Sequence, residues 1–342
     1  MKNNRVTIAI DGMGGDRGHI IVIPACLSAL KKYPELDIVL VGDEKILVPL
    51  VPKAFHDSAR FRIHHASEVV GMDELPSQAL RYKKDSSMRV AINLVKEGQA
   101  DACVSAGNTG ALMAIARFVL KMLPGIDRPA IISALPASGA SGCVRILDLG
   151  ANVDSGADQL VQFAVMGSVL TSAIEGIKAP KVALLNIGEE EIKGNDQVKL
   201  AARLLSDMKG INYIGYVEGD AIFKGVADVI VCDGFVGNVA LKTIEGATKF
   251  IGGVMKKAFV RNLFTKLAGA AAVFVLRSLK KTLNPDLYNG ATFVGLRSIV
   301  VKSHGGTSAL GFEQAIKHAL LEVEHNVPAL IEDEVTKLLD QP

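Results

Sequence analysis

The chain has no tryptophan, and only 5% of its 342 residues are aromatic. That scarcity argues against a stacking platform for single-stranded nucleic acid, which needs rings interleaved with cations. An excess of one charge is missing too. Against 38 basic residues stand 36 acidic ones, a net charge of +2, so attraction for an anionic partner has to come from local clusters. Nucleic acid is therefore not an expected partner. The four cysteines, Cys26, Cys103, Cys143 and Cys232, form no CxxC pair and stand in apolar surroundings, which reads as reduced, buried small hydrophobes. The seven histidines show no metal-ligand spacing, and no metal is expected. No uncharged apolar run reaches the roughly 18 residues that span a bilayer. The opening MKNNRVTIAID enters a strand at once without the apolar stretch of a secretory signal, so a cytosolic setting is expected. Neither GxGxxG with a downstream acid nor a GxxxxGKS/T loop occurs, and a nucleotide is not the first-choice ligand.

What is present is alternation. Short β-branched runs at 6–10, 37–42, 61–66, 100–106, 129–135, 144–150, 181–188, 211–217, 227–234 and 297–303 are separated mostly by amphipathic helical patterns such as SMRVAINLVKEG. Apolar strands alternating with helices imply a largely parallel sheet covered on both faces, a three-layer α/β/α fold. Such sheets bind ligands beyond the carboxyl ends of their strands. Six strand ends there carry glycine with polar residues: Asp11–Asp16, the SAGNTG turn at 105–110, Asp148–Asp154, Asn186–Glu189, Asp233–Asn238 and Ser303–Ser308. Each alone reads equally as an ordinary turn, but six at one sheet edge suit a small anion. In SAGNTG a strand gives way to a helix, whose free N–H groups and dipole attract anions while glycine permits close approach. The other reading of Asn108 and Thr109 is simple helix capping.

In this order the stretches IDGMGGD (10–16), KKDSSM (83–88), ADACVSAGNTGALM (100–113), GIDRPA (125–130), LDLGANVD (147–154), LLNIGEEEIKGN (184–195), VCDGFVGNVALKTIEG (231–246) and HGGTS (304–308) resemble the bacterial phosphate acyltransferase family of phospholipid synthesis. The resemblance spans nearly the whole chain. It implies a single catalytic domain over 1–342, related to the isocitrate and isopropylmalate dehydrogenases. It implies transfer of a long-chain fatty acyl group from acyl-acyl-carrier protein to inorganic phosphate, giving acyl phosphate for phosphatidic acid synthesis. A homodimer resting on the inner membrane surface, passing product to a glycerol-3-phosphate acyltransferase, is implied as well. Gly12, Gly18-His19 and Asn289 depart from the family's pattern, and Glu189-Glu190-Glu191 make an acidic approach to Lys193.

Thioester-to-phosphate transfer needs no protein nucleophile, because phosphate attacks through oxygen and a thiolate leaves readily. The requirements are positioning and stabilisation of the tetrahedral oxyanion, with no cofactor. Lys193, after the LLNIG strand end, is the leading catalytic candidate, with Asn186 and Asp154 beside it; an orienting role suits Asp154 better than acid–base work with Asp148, since a bare carboxylate repels phosphate. Gly107, Asn108, Thr109, Asn152, Gly237, Asn238 and His304 are the candidate phosphate ligands, each against the alternative of a capping or turn role. Residues 246–285 contain no Asp or Glu, and carry Lys256, Lys257, Arg261, Lys266, Arg277, Lys280 and Lys281 around the apolar run LAGAAAVFVL. Two helices hinged near Gly269 would form a cationic amphipathic insertion for anionic lipid or the acidic carrier, with a core or dimer-interface helix pair as the alternative. Arg81-Tyr82-Lys83-Lys84 is a second cationic candidate for carrier docking. Rival functions are a short-chain phosphate acyltransferase using acyl-coenzyme A, and a non-catalytic membrane-bound scaffold.

Overall fold

The computed structural model describes residues 5–139, 142–282 and 284–339. Eleven strands form one sheet: β1 (Val6–Asp11), β2 (Leu36–Gly42), β3 (Phe61–His65), β4 (Ala102–Ser105), β5 (Ala130–Pro136), β6 (Cys143–Leu147), β7 (Lys181–Leu185), β8 (Asn212–Val217), β9 (Val229–Val231), β10 (Ala291–Val294) and β11 (Ile299–Lys302). Their order is β3-β2-β1-β4-β11-β10-β5-β6-β9-β7-β8. Successive side chains alternate between the two faces, so Ile8 and Ile10 join the core under the helices His19–Lys32 and Ala309–Glu324. Ala9 and Cys103 face the helices Ser87–Lys96 and Thr109–Leu120 instead. A third apolar cluster packs helix Ala157–Glu175 against β6, β7 and β9. Both faces are covered, which is the three-layer α/β/α arrangement the alternation implied. That helix is the one described element long and apolar enough to cross a membrane, and two-thirds of the relevant window is buried in the core.

The sheet reverses direction at its centre. β10 runs antiparallel to both β11 and β5, and β5 runs antiparallel to β6. The turns after β1, β4 and β11 therefore emerge at one edge, and those after β6, β7 and β9 at the opposite edge. The expectation of six turns along a single edge is thus corrected to two groups of three. The cause is local: only residues 137–142 separate β5 from β6, too few for the crossover that keeps strands parallel, so the two form a hairpin.

Helix Gly234–Phe259 leaves the second edge, and the lysines on it reach the first. Beyond it lie helices Leu263–Ala271 and Val273–Thr282. The insertion therefore comprises the end of one long helix and two short ones, broken near Val260 and Ala272. Gly269 lies inside a helix, where a side chain would press on Phe259, so it is not a hinge. Arg261 follows the end of the long helix and does not share a helical face with Lys257.

Candidate active site

At the first edge, Asp11 is the hub. It is 1% exposed, and Oδ1 accepts from the N–H groups of Met13 and Gly14 and from Ser87 Oγ (2.6 Å), while Oδ2 accepts from Ser105 Oγ (2.6 Å). One buried carboxylate so ties the first turn to β4 and to the helix beginning at Ser87. Gly107 N–H donates to Ser105 Oγ at 3.0 Å. Asn108 caps its helix by accepting from Ala111 N–H at 3.0 Å, and its amide donates to the carbonyls of Met72 (2.8 Å) and Glu74 (3.0 Å). Its side chain is therefore occupied by capping and by clamping the loop 71–74. Asn108→Ala should lower unfolding stability by about 1–2 kcal/mol, the usual value of such a cap. A denaturant midpoint equal to wild type would show the clamp to be idle. The anion-binding capacity of this turn rests instead on the N–H groups of Thr109 and Gly110, which have no hydrogen-bond partner among the described residues.

His304 stands at the same edge. Its backbone N–H donates to Asn289 Oδ1 (2.9 Å), and its Nδ1 accepts from Gly306 N–H (3.1 Å). Desolvation lowers its pKa, opposed by Glu245 and reinforced by Lys242, Lys302 and Lys249. The ring is therefore neutral with its proton on Nε2, a donor rather than a base. Asn289 also donates to Ser303 Oγ and the Gly311 carbonyl, so this departure from the family's pattern holds the turn after β11 in place.

At the second edge, Asp148 is fully buried and accepts from the N–H groups of Ile131, Ala151 and Asn152 and from Asn152 Nδ2. Burial raises its pKa, and those hydrogen bonds pull the other way. Asn152 gives its amide to Asp148 and to the Pro129 carbonyl (2.8 Å), while its own carbonyl accepts from Gly234 N–H. Gly234 and Gly237 allow the first turn of the long helix to lie directly on this loop, because a side chain at either would collide with Asn152 or Asp148. Asn152 and Gly237, both phosphate candidates in the sequence, thus have packing roles in the seat of this helix. Asp154 is exposed and makes no hydrogen bond among the described residues, so it does not form a carboxylate pair with the sealed Asp148.

Asn186 donates to the carbonyls of Gly188 (3.1 Å) and Lys193 (3.2 Å), clasping the loop that carries Lys193. Lys193 itself is exposed, and no carboxylate pairs with it among the described residues, the three neighbouring glutamates included. Asn238 is exposed over Gly150 with its amide uncommitted. Among the described candidates of this edge, Lys193, Asn238 and the carboxylate Asp154 have side chains left available, and the first two can donate to an anion.

The long helix joins the two groups. Asn238 and Lys242 share a face about 6 Å apart along the axis. Lys242 bonds Glu245 at 3.0 Å, and its charge is felt at both His304 and Lys302. Lys302, which no sequence signal singled out, is 8% exposed beside Asp11. Neither Cys103 nor Cys232 is fit to act as a nucleophile, since burial raises both thiols far above the range in which a thiolate forms.

Residues 6–330 match the model of a family described as fatty acid synthesis protein. The chain is 59% identical over 342 residues to the phosphate acyltransferase of Legionella pneumophila (strain Paris), covering 100% of this chain and 99% of that one. Among solved structures it is similar to a phosphotransacetylase from Streptococcus pyogenes, with a TM-score of 0.60 at 19% identity over 94% of each chain. It is also similar to 4-hydroxythreonine-4-phosphate dehydrogenase from Klebsiella pneumoniae, with a TM-score of 0.51 at 14% identity over 93% of this chain and 98% of that one. The dehydrogenase-like α/β/α fold defines the architecture, and the full-length relative places the chain among enzymes that transfer acyl groups to phosphate. The chain belongs to the bacterial phosphate acyltransferase family of fatty acid and phospholipid synthesis.

Proposed function

We propose that this phosphate acyltransferase moves a long-chain fatty acyl group from acyl-acyl-carrier protein to inorganic phosphate. Phosphate is held by the N–H groups of Thr109 and Gly110 with His304 Nε2–H beside them. The thioester carbonyl lies toward Asn238, one turn before Lys242 on the long helix, and toward Lys193 on the loop after β7. A phosphate oxygen attacks the carbonyl carbon, the Lys193 ammonium neutralises the tetrahedral oxyanion, the C–S bond breaks, and the phosphate proton passes to the departing thiolate. Acyl phosphate and free carrier thiol are the products. The observation that carries this reading is the pairing of partnerless helix-mouth N–H groups at the first edge with an uncommitted Lys193 and Asn238 at the second, the long helix running between them, beside thiols too deeply buried to react.

The test follows thiol release from palmitoyl-acyl-carrier protein with and without phosphate, trapping acyl phosphate with hydroxylamine. Phosphate-dependent release with trappable product supports the reading. Release without phosphate identifies a thioesterase, preference for acetyl-coenzyme A a short-chain enzyme, and no release a scaffold.

The protein works as a cytoplasmic homodimer on the inner face of the membrane, delivering its product to the glycerol-3-phosphate acyltransferase. The insertion supports this placement. Phe250, Phe264 and Phe274 are each more than 70% exposed among the exposed cations Lys256, Lys257, Arg261, Lys266 and Arg277; the side chains of Lys280 and Lys281 lie outside the described residues. Reversing Lys256, Lys257 and Arg261 to Glu should weaken binding to vesicles containing anionic lipid by on the order of 100-fold, at about 1 kcal/mol per cation. Unaltered co-sedimentation would assign the surface to another chain.

A further inference from the structure

A buried lysine has no place in the mechanism above. Lys302 ends β11 and is 8% exposed, yet no carboxylate pairs with it among the described residues. Its ammonium donates to the Ala106 carbonyl at 3.1 Å and to the Ser303 carbonyl, and its third N–H has no partner there. The acid whose charge acts most on it, Asp11, already accepts four hydrogen bonds. Burying a charge without a matching ion is costly, and folds retain such a group where its position matters. The two carbonyls it joins belong to the turns that lead to the Thr109–Leu120 helix mouth and to His304. Ala106 stands three residues before Thr109, in the segment whose conformation aims the Thr109 and Gly110 N–H groups.

We propose that Lys302 is the positioning residue of the phosphate subsite. By tying the Ala106 carbonyl to the end of β11, it fixes the free N–H groups of Thr109 and Gly110 relative to His304, and its charge favours an anion at that junction. The inference rests on the reading that phosphate binds at this edge. The titratable groups around Lys302 are Asp11 and Asp16 on the β1 side, which favour its charged form, and Lys242 on the long helix, which opposes it; His304 follows it closely in the chain. Burial outweighs the acids and lowers the Lys302 pKa to about 8. The cation is thus present at neutral pH and lost as the pH rises through that value.

The test measures kcat and the KM for phosphate and for acyl donor in wild type, Lys302→Met and Lys302→Gln, with thermal melting alongside. Methionine fills the buried stem without a charge, so the variant should melt no lower than wild type. Its phosphate KM should rise at least tenfold, with the acyl-donor KM within twofold. In wild type the phosphate KM should climb between pH 7 and 9, and in both variants that climb should vanish. The wild-type profile stands even if neither variant folds, and a flat one would overturn the proposal. So would a phosphate KM unchanged in the variants, or equal rises in both KM values with a lower melting point, which describe a purely structural lysine. Wild type that turns over without phosphate dependence would overturn the site reading together with the inference, and is distinguished by the wild-type assay alone.

Discussion

Lys193→Ala is expected to cut turnover by about 100- to 1000-fold, the usual cost of removing one group that stabilises a developing oxyanion. The melting temperature should stay at the wild-type value, because Lys193 is exposed and its side chain enters no ion pair among the described residues. The loop that carries it is held from below by Asn186 through backbone carbonyls, contacts that the substitution leaves intact. Asn186→Ala should lose activity differently: the ammonium remains while its loop is released, so part of the turnover survives. Steady-state rates and melting curves on the two variants separate the roles. Near-normal turnover in Lys193→Ala would remove the lysine from the chemistry.

Gly237→Ala is the second large effect, and here the loss is structural. The added methyl would overlap the Asp148 carbonyl oxygen and sit 3.0 Å from Cys232 Sγ. The obstacle is backbone, which moves only if the whole first turn of the helix lifts away from the 148–152 loop. A cost of about 3 kcal/mol is expected, at the upper end of overpacking in a well-filled interior. Activity should fall further than stability explains, since Asn238 is the next residue and moves with the turn. A melting curve indistinguishable from wild type would mean that the helix is not seated on that loop.

The layered fold was legible because apolar strands and amphipathic helices have different periods, and ten of the eleven strands announced themselves that way. β10 did not: ATFV, only four residues long and directly after Asn289-Gly290, is too short to carry a period. The opposed edges were missed for a related reason. Leu135 and Val144 are too close in sequence for a crossover helix, and that count was the available signal for a hairpin. At the candidate site, the sequence located the polar turns at the strand ends but not the division of labour within them. An asparagine that caps a helix and one that binds a ligand look the same in a string, which is why Asn108 and Asn152 turn out to be occupied while Asn238 is uncommitted. Lys302 follows two valines at a strand end, and nothing in VVKS distinguishes a buried lysine from an exposed one.

The central position of β10 and β11 also bears on how the chain is made. β11 pairs with β4, almost 200 residues earlier, and β10 pairs with β5. While the ribosome is still adding the helical insertion, β4 and β5 have no neighbours on their inner sides, and each presents an unpaired edge to solvent. The two halves can acquire their own cores early, but the seam between them closes only when the last fifty or so residues emerge. A nascent or truncated chain ending before Ala291 would carry two open strand edges and a cationic apolar arm together, and would aggregate during that interval unless shielded.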